Sequence, residues 1–286
     1  MKRTFYKYLF LFLAVTAMLS SCQDVVELDL PEGDEFLVVE GWITNEDRPH
    51  DVILTTTAAY FDDADPAPAT DAVVFIRDDE GMEALLTETS PGVYTYPDSG
   101  TVGRSYQLEI VLENGKRYLS TFEELFEPVP ILAIDWQLSE DEPDVDNGEN
   151  LDDIYDVLIF TIEPAGIGDN YRWRSTLNGV EAREPFDIFV TDDQFVDGNP
   201  IPDFNVTDEL YSQFDTVTII QERISRDARE FLQLLQTQTA FVGGPFDPPP
   251  SPIRGNISNV NDPDDLALGF FGAAGRDRAT VVVGIE

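Results

Sequence analysis

The stretch SYQLEIVLENGKRYLSTFE, residues 105–123, decides how the chain is read. Apolar and polar residues alternate on both sides of Asn114-Gly115. Asn-Gly between two alternating runs is the strongest short hairpin signal, because a type I′ turn needs positive φ at both central residues. Working outward, the same pattern recurs at 36–44 (FLVVEGWIT), 51–58 (DVILTTTA), 72–77 (AVVFIR), 83–88 and 93–96. These runs are rich in β-branched or aromatic residues and are separated by turn-forming residues. Seven closely spaced strands with no helical period predict an immunoglobulin-like or transthyretin-like β-sandwich over 34–127.

Pro128 and Pro130 favour extended chain and cannot donate to a ladder, which sets a boundary there. Residues 128–286 then read as a second β-rich domain. Strand patterns fall at 131–138 (ILAIDWQL), 155–162 (YDVLIFTI), 171–177 (YRWRSTL), 180–183, 186–190, 216–221 and 279–285 (ATVVVGI), with a second hairpin signal at Asn178-Gly179. One helix is predicted over about 225–238. Ser225 is its N-cap, Asp227 and Glu230 lie near its positive end, and Ala228, Phe231, Leu232 and Leu235 share one apolar face. The run PFDPPPSP at 245–252 must be extended. The fold class expected is mainly β, with one helix.

Composition excludes several functions. Seventeen Lys and Arg face 56 Asp and Glu, a formal charge of −39 with a pI near 4.1. Such a surface repels phosphate backbones, so nucleic acid is excluded as a partner. One Cys and one His exclude a zinc cluster or a disulfide scaffold. A hydrophobic fraction of 42% excludes a disordered acidic tail.

The single Cys has a place of its own. Residues 1–22 read MKRTFYKYLFLFLAVTAMLSSC, with a basic start at Lys2, Arg3 and Lys7 and an apolar stretch too short to span a bilayer. Leu19-Ser20-Ser21-Cys22 resembles a bacterial lipobox. The expectation is a lipoprotein signal peptide at 1–21, lipidation of Cys22, and a lipidated tether at 22–33. Removing 1–21 takes away three basic groups and no acid, moving the charge to −42. The acidic start after Cys22 resembles a surface-export signal, which favours the cell surface over the periplasmic face of an outer membrane. The membrane partner is thus reached through the lipid anchor.

Several segments together resemble one family: LVVEGWIT at 37–44, PGVY at 91–94, NYRWR at 170–174 and DDQFVDGN at 192–199. The C-terminal part adds ISRDAREFLQLLQTQ at 224–238, GGPFDPPPSPIRGNISN at 243–259 and ALGFFGAA at 267–274. The chain resembles the Bacteroidota outer-membrane lipoproteins grouped as domain of unknown function 4249. The resemblance implies an outer-membrane lipoprotein, often encoded beside a TonB-dependent transporter, and it carries over no catalytic residues. It points to a non-enzymatic accessory binding or assembly module with such a transporter as partner.

Candidate chemistry is sparse. His50, in Arg48-Pro49-His50-Asp51, reads as an exposed turn histidine. No cofactor is expected except Ca²⁺, for which Asp192, Asp193, Asp197 and Asn199 are the best set because Gly198 permits a tight turn. Phe195 stands where the EF-hand pattern needs an oxygen ligand. Asp144, Asp146, Asn147 and Glu149 form a second, equally irregular group. Trp42, Trp136 and Trp173 sit in alternating strand patterns and read as packing residues. In YRWR, Tyr171 and Trp173 share one strand face while Arg172 and Arg174 share the other. Those arginines pair with nearby carboxylates or grip an anionic ligand. Arg172, Arg174, Trp173 and Arg254 are the candidate ligand or partner contacts. The alternative function is a Ca²⁺-dependent glycan-binding protein or a surface hydrolase using paired carboxylates.

Overall fold

The computed structural model describes residues 35–57, 65–139, 154–240 and 252–285. Cys22, the tether, the acids at 144–149 and most of the Pro-rich run lie outside the described residues. The fold is mainly β, as the sequence predicts. In the first half lie β1 (Leu37–Thr44), β2 (His50–Thr56), β3 (Val73–Asp78), β4 (Glu83–Leu85), β5 (Thr87–Ser90), β6 (Val93–Tyr96), β7 (Ser105–Val111), β8 (Arg117–Ser120) and β9 (Glu123–Glu124). In the second lie β10 (Ile131–Leu138), β11 (Ile154–Ile162), β12 (Asn170–Leu177), β13 (Val180–Glu181), β14 (Phe189–Asp192), β15 (Pro200–Asn205), β16 (Tyr211–Ser212), β17 (Thr216–Ile224), α1 (Arg226–Ala240), β18 (Arg254–Asn259) and β19 (Leu266–Val282).

The main sheet runs β4-β3-β7-β8-β18-β19-β1-β2-β6-β5. Ile43, Leu54, Ile76, Tyr94, Leu108 and Phe271, from six of these strands, form one apolar core. Alternation explains the register: along β2 the buried residues are His50, Val52 and Leu54, with Asp51 and Ile53 outside. β19 joins the two halves of the fold. Ala267 to Ala274 pair in parallel with β1, and Gly275 to Val282 pair antiparallel with β17. The boundary expected at 127/128 divides the chain but not this sheet, because β18 and β19 complete the first core from the far end of the sequence. Over the β12–β17 layer lies a smaller sheet, β10-β11-β15 with β16 beside β11. Val157, Trp173, Tyr211 and Ile219 fill the core between them.

The two Asn-Gly hairpins differ. At β12–β13, Asn178 (φ 51°) and Gly179 (φ 84°) are both left-handed and Leu177 pairs with Val180, the two-residue turn expected. At β7–β8 only Gly115 (φ 84°) is left-handed. Gly115 N–H donates to the Leu112 carbonyl (2.8 Å) and Leu112 N–H to the Lys116 carbonyl (2.9 Å), which is a longer loop with a glycine bulge. The hairpin stands, and its turn type is corrected.

The helix begins where the sequence predicts. Ser225 Oγ accepts from Ala228 N–H (3.0 Å) and donates to Glu123 Oε2 (2.5 Å), so one hydroxyl caps the helix and ties it to β9. Ala228 and Leu232 are buried against Ile224, Phe270 and Ala274. The strand expected at 186–190 is instead a 3-10 turn, Pro185–Asp187, followed by β14, since Pro185 starts a helical turn readily.

Candidate functional site

Two features stand out among the described residues: a groove beside α1 that ends at an arginine, and a buried trio of carboxylates.

The groove, of about 440 Å³, lies between α1 and the paired strands β1 and β19. Trp42, Phe231, Leu235, Leu268 and Phe270 give it an apolar wall. The Phe270 ring stacks on Phe231 (5.0 Å) and on Trp42 (6.0 Å), so the aromatic wall is continuous. At one end stands Arg172. It lines both this groove and a neighbouring polar depression that also holds Arg174, Glu181 and Arg183.

Arg172 owes its position to strand alternation. Tyr171 and Trp173 point into the core, and Arg172 and Arg174 point the other way, as the sequence predicts. Glu222 on β17 stands opposite Arg172 in register and is fully buried. Arg276 donates through Nε (2.8 Å) and Nη2 (2.5 Å) to Glu222 Oε1, and Arg174 Nη2 donates to the same oxygen (3.2 Å). Burial alone would raise the Glu222 carboxyl. Arg174, Arg276 and Arg172 override that and hold it at about 2. Arg174 is also paired with Glu181, and Arg276 Nη1 with Glu46 (2.6 Å).

Arg172 is the least satisfied member. Its Nε is buried without a hydrogen-bond partner, and so is Glu222 Oε2. The two stand 3.8 Å apart, beyond hydrogen-bond distance. Burial lowers the Arg172 guanidinium from its ordinary value, against the pull of Glu222. The guanidinium also feels Glu181 and lies over the face of Trp42, with Cζ 5.4 Å from the ring centroid.

A larger depression of about 710 Å³ runs from Arg174 past Phe186 to Asp208 and Glu209. Volume favours it. Chemistry favours the groove, where an apolar wall meets one under-neutralised cation.

The second feature is Glu163, Asp169 and Asp193, all buried, with oxygens within 4.8 Å of one another. Tyr171 Oη donates to Glu163 Oε1 (2.9 Å), Arg223 Nε to Asp169 Oδ1 (3.1 Å), and Gly168 and Asp169 N–H to Asp193 Oδ2 (2.8 and 3.1 Å). Burial pushes Glu163 up to about 7, with help from Asp169 and Asp193. Each carboxyl has an internal donor.

Only one of the four residues proposed for calcium belongs to this trio. Asp193 is buried in it, whereas Asp192 is directed to Arg229 (3.9 Å). Asp197 Oδ1 accepts from Gly166 N–H (2.6 Å), and Asn199 Nδ2 donates to the Asp197 carbonyl (2.9 Å). The 192–199 loop is thus stitched by its own polar groups, and its four candidates do not converge on one point.

Two other expectations need correction, at Trp173 and His50. Trp173, named as a ligand or partner contact, is buried in the second core and donates from Nε1 to Gln221 Oε1 (3.0 Å). Trp42, read as a packing residue, does pack against the cluster of Ile224, Leu232 and Phe270, and it lines the groove as well. His50 is buried rather than exposed: its Nε2 accepts from Thr44 N–H (3.1 Å) and its Nδ1 donates to the Asp98 carbonyl (3.1 Å). Burial lowers its pKa, and the neutral ring is a structural clamp. Arg254 is exposed on β18, opposite Leu268 in register. Glu222 was missed altogether. An ERI run at the end of a strand carries no signal of its own in so acidic a chain.

The model of the domain of unknown function DUF4249 matches residues 23–280. The chain belongs to the DUF4249 family. None of the curated proteins matches it. Both the groove and the arginine network of this DUF4249 chain fall inside the matched span.

Proposed function

We propose that this DUF4249 protein is a non-enzymatic binding module held at a membrane surface by lipid on Cys22. It serves as an accessory to an outer-membrane transporter of the TonB-dependent kind and is displayed on the cell surface. The observation that carries the binding reading is the groove: an aromatic wall of Trp42, Phe270 and Phe231 that closes on the Arg172 guanidinium. The lone imidazole supports it from the other side, since both ring nitrogens of His50 are engaged in holding β1 and the Asp98 loop. The lipobox and the acidic start after Cys22 support the anchor.

Purification of the full-length chain from its native membrane in mild detergent tests the assignment. Reproducible recovery of a transporter, lost with Cys22→Ala, is the expected result. Recovery of this chain alone in repeated preparations contradicts it. The second reading, a Ca²⁺-dependent glycan-binding protein or hydrolase, draws on the trio of Glu163, Asp169 and Asp193. A rise in Tm with Ca²⁺, abolished by chelator and by Glu163→Gln, favours it.

A further inference from the structure

We propose that the groove between α1 and the β1–β19 pair binds an amphipathic monocarboxylate, with the apolar part against Trp42, Phe231 and Phe270 and the carboxylate on Arg172. The inference rests on the binding-module reading and names the class of ligand for that module.

Three features of the groove select this chemistry. The volume, about 440 Å³, lies in the range of small-molecule sites and is too small for a folded partner. The wall is aromatic and aliphatic, so a ligand gains by burying apolar surface there. The end of the groove is a cation whose own neutralisation is incomplete. Glu222 is shared among Arg172, Arg174 and Arg276, and its hydrogen bonds go to the last two. The Arg172 Nε is buried 3.8 Å from Glu222, so a ligand reaches the terminal guanidinium nitrogens, which make no hydrogen bond among the described residues on a side chain 19% exposed. A carboxylate supplies what Arg172 lacks, in a place where water competes weakly.

One feature limits the charge of the ligand. Glu40, exposed on β1, lines the same groove. One guanidinium with a carboxylate nearby suits a single negative charge and disfavours a dianionic phosphate. The net charge of −39 does not decide against an anion, because charges beyond a Debye length of about 8 Å are screened and Arg172 is in direct contact.

The test is calorimetric titration of the full-length chain in neutral phospholipid nanodiscs, with empty nanodiscs subtracted. The probe is 4-phenylbutyrate, and 4-phenylbutanol is its uncharged counterpart. The expected result is saturable binding of 4-phenylbutyrate, about tenfold or more tighter than the alcohol. Arg172→Gln should remove that preference, consistent with loss of one charge-assisted pair. Glu40→Gln should tighten the carboxylate and leave the alcohol unchanged. Leu235→Tyr, which narrows the groove and leaves Arg172 in place, should weaken both and covers the case in which Arg172→Gln fails to fold. Absence of saturable binding, equal binding of acid and alcohol, or unchanged binding in both groove variants overturns the proposal. No partner protein is present in the titration, so failure here is separate from failure to recover a transporter from membranes.

Discussion

The Arg172 guanidinium lies over the Trp42 ring, 5.4 Å from its centroid, and so joins β12 in the second half of the chain to β1 in the first. Such a contact contributes about 0.5–2 kcal/mol, most when water is excluded. Its larger consequence is positional. Stacked on Trp42 and backed by a buried carboxylate, the cation is fixed at the end of an apolar groove.

Glu222 is what allows three arginines to share that space. Replacing it by Gln leaves Arg172, Arg174 and Arg276 around a neutral group, and breaking a buried charge pair costs about 3–5 kcal/mol. Urea unfolding of Glu222→Gln should show a loss of that order. The Glu222 carboxyl sits at about 2 in the folded protein, below its ordinary value of 4.5. Its contribution is therefore complete above about pH 4.5 and is lost as pH falls towards 2. The acid sensitivity of the wild type in that window should be reduced in the variant. A variant as stable as the wild type would show that the network is incidental.

Glu163 acts with the opposite sign. Its folded pKa is raised from 4.5 to about 7, so the protonated form favours the fold. The contribution is complete below about pH 4.5 and is lost as pH rises through 7, a change on the order of 3 kcal/mol. Glu163→Gln keeps an acceptor for Tyr171 and removes the charge. Its Tm should match the wild type near pH 5 and exceed it at pH 8, measured without added metal. A Tm below the wild type at pH 8 would instead show that the trio needs the carboxylate.

Much of this architecture is legible in the sequence because local signals agree with tertiary ones. The YRWR alternation placed Trp173 inside and Arg172 outside, and the Ser225 cap with its apolar face located α1. Other features depend on contacts between distant positions. Pro200 and Pro202 hide β15, which survives because it pairs on one side only, with β11. The parallel pairing of β1 with β19 has no local signature. Nor does the burial of His50, whose partners are Thr44 and Asp98. The groove exists only once β1, β12, α1 and β19 are assembled, so Arg172 was nameable as a candidate but Trp42 and Glu222 were not.

Gly255 tests how tightly the C-terminal strands seal the first core. A Cβ at this position would fall 1.5 Å from the Gly269 carbonyl oxygen, a backbone atom with no freedom to move aside. Gly255→Ala should lose more than about 4 kcal/mol or fail to fold. Gly115→Ala makes the comparison: a Cβ there meets nothing within 4 Å, and only its left-handed backbone is strained. That change should cost about 1–2 kcal/mol. Similar costs in the two variants would show that β18 is not held as closely as described.

The reading of the whole chain as a membrane-held binding module is tested most directly at Cys22, by mass spectrometry of the mature N-terminal peptide from native membranes. The account predicts a chain beginning at Cys22 with diacylglycerol on its thiol and an acyl chain on its amine or none. A mature chain that retains residues 1–21, or begins elsewhere with Cys22 unmodified, would contradict it.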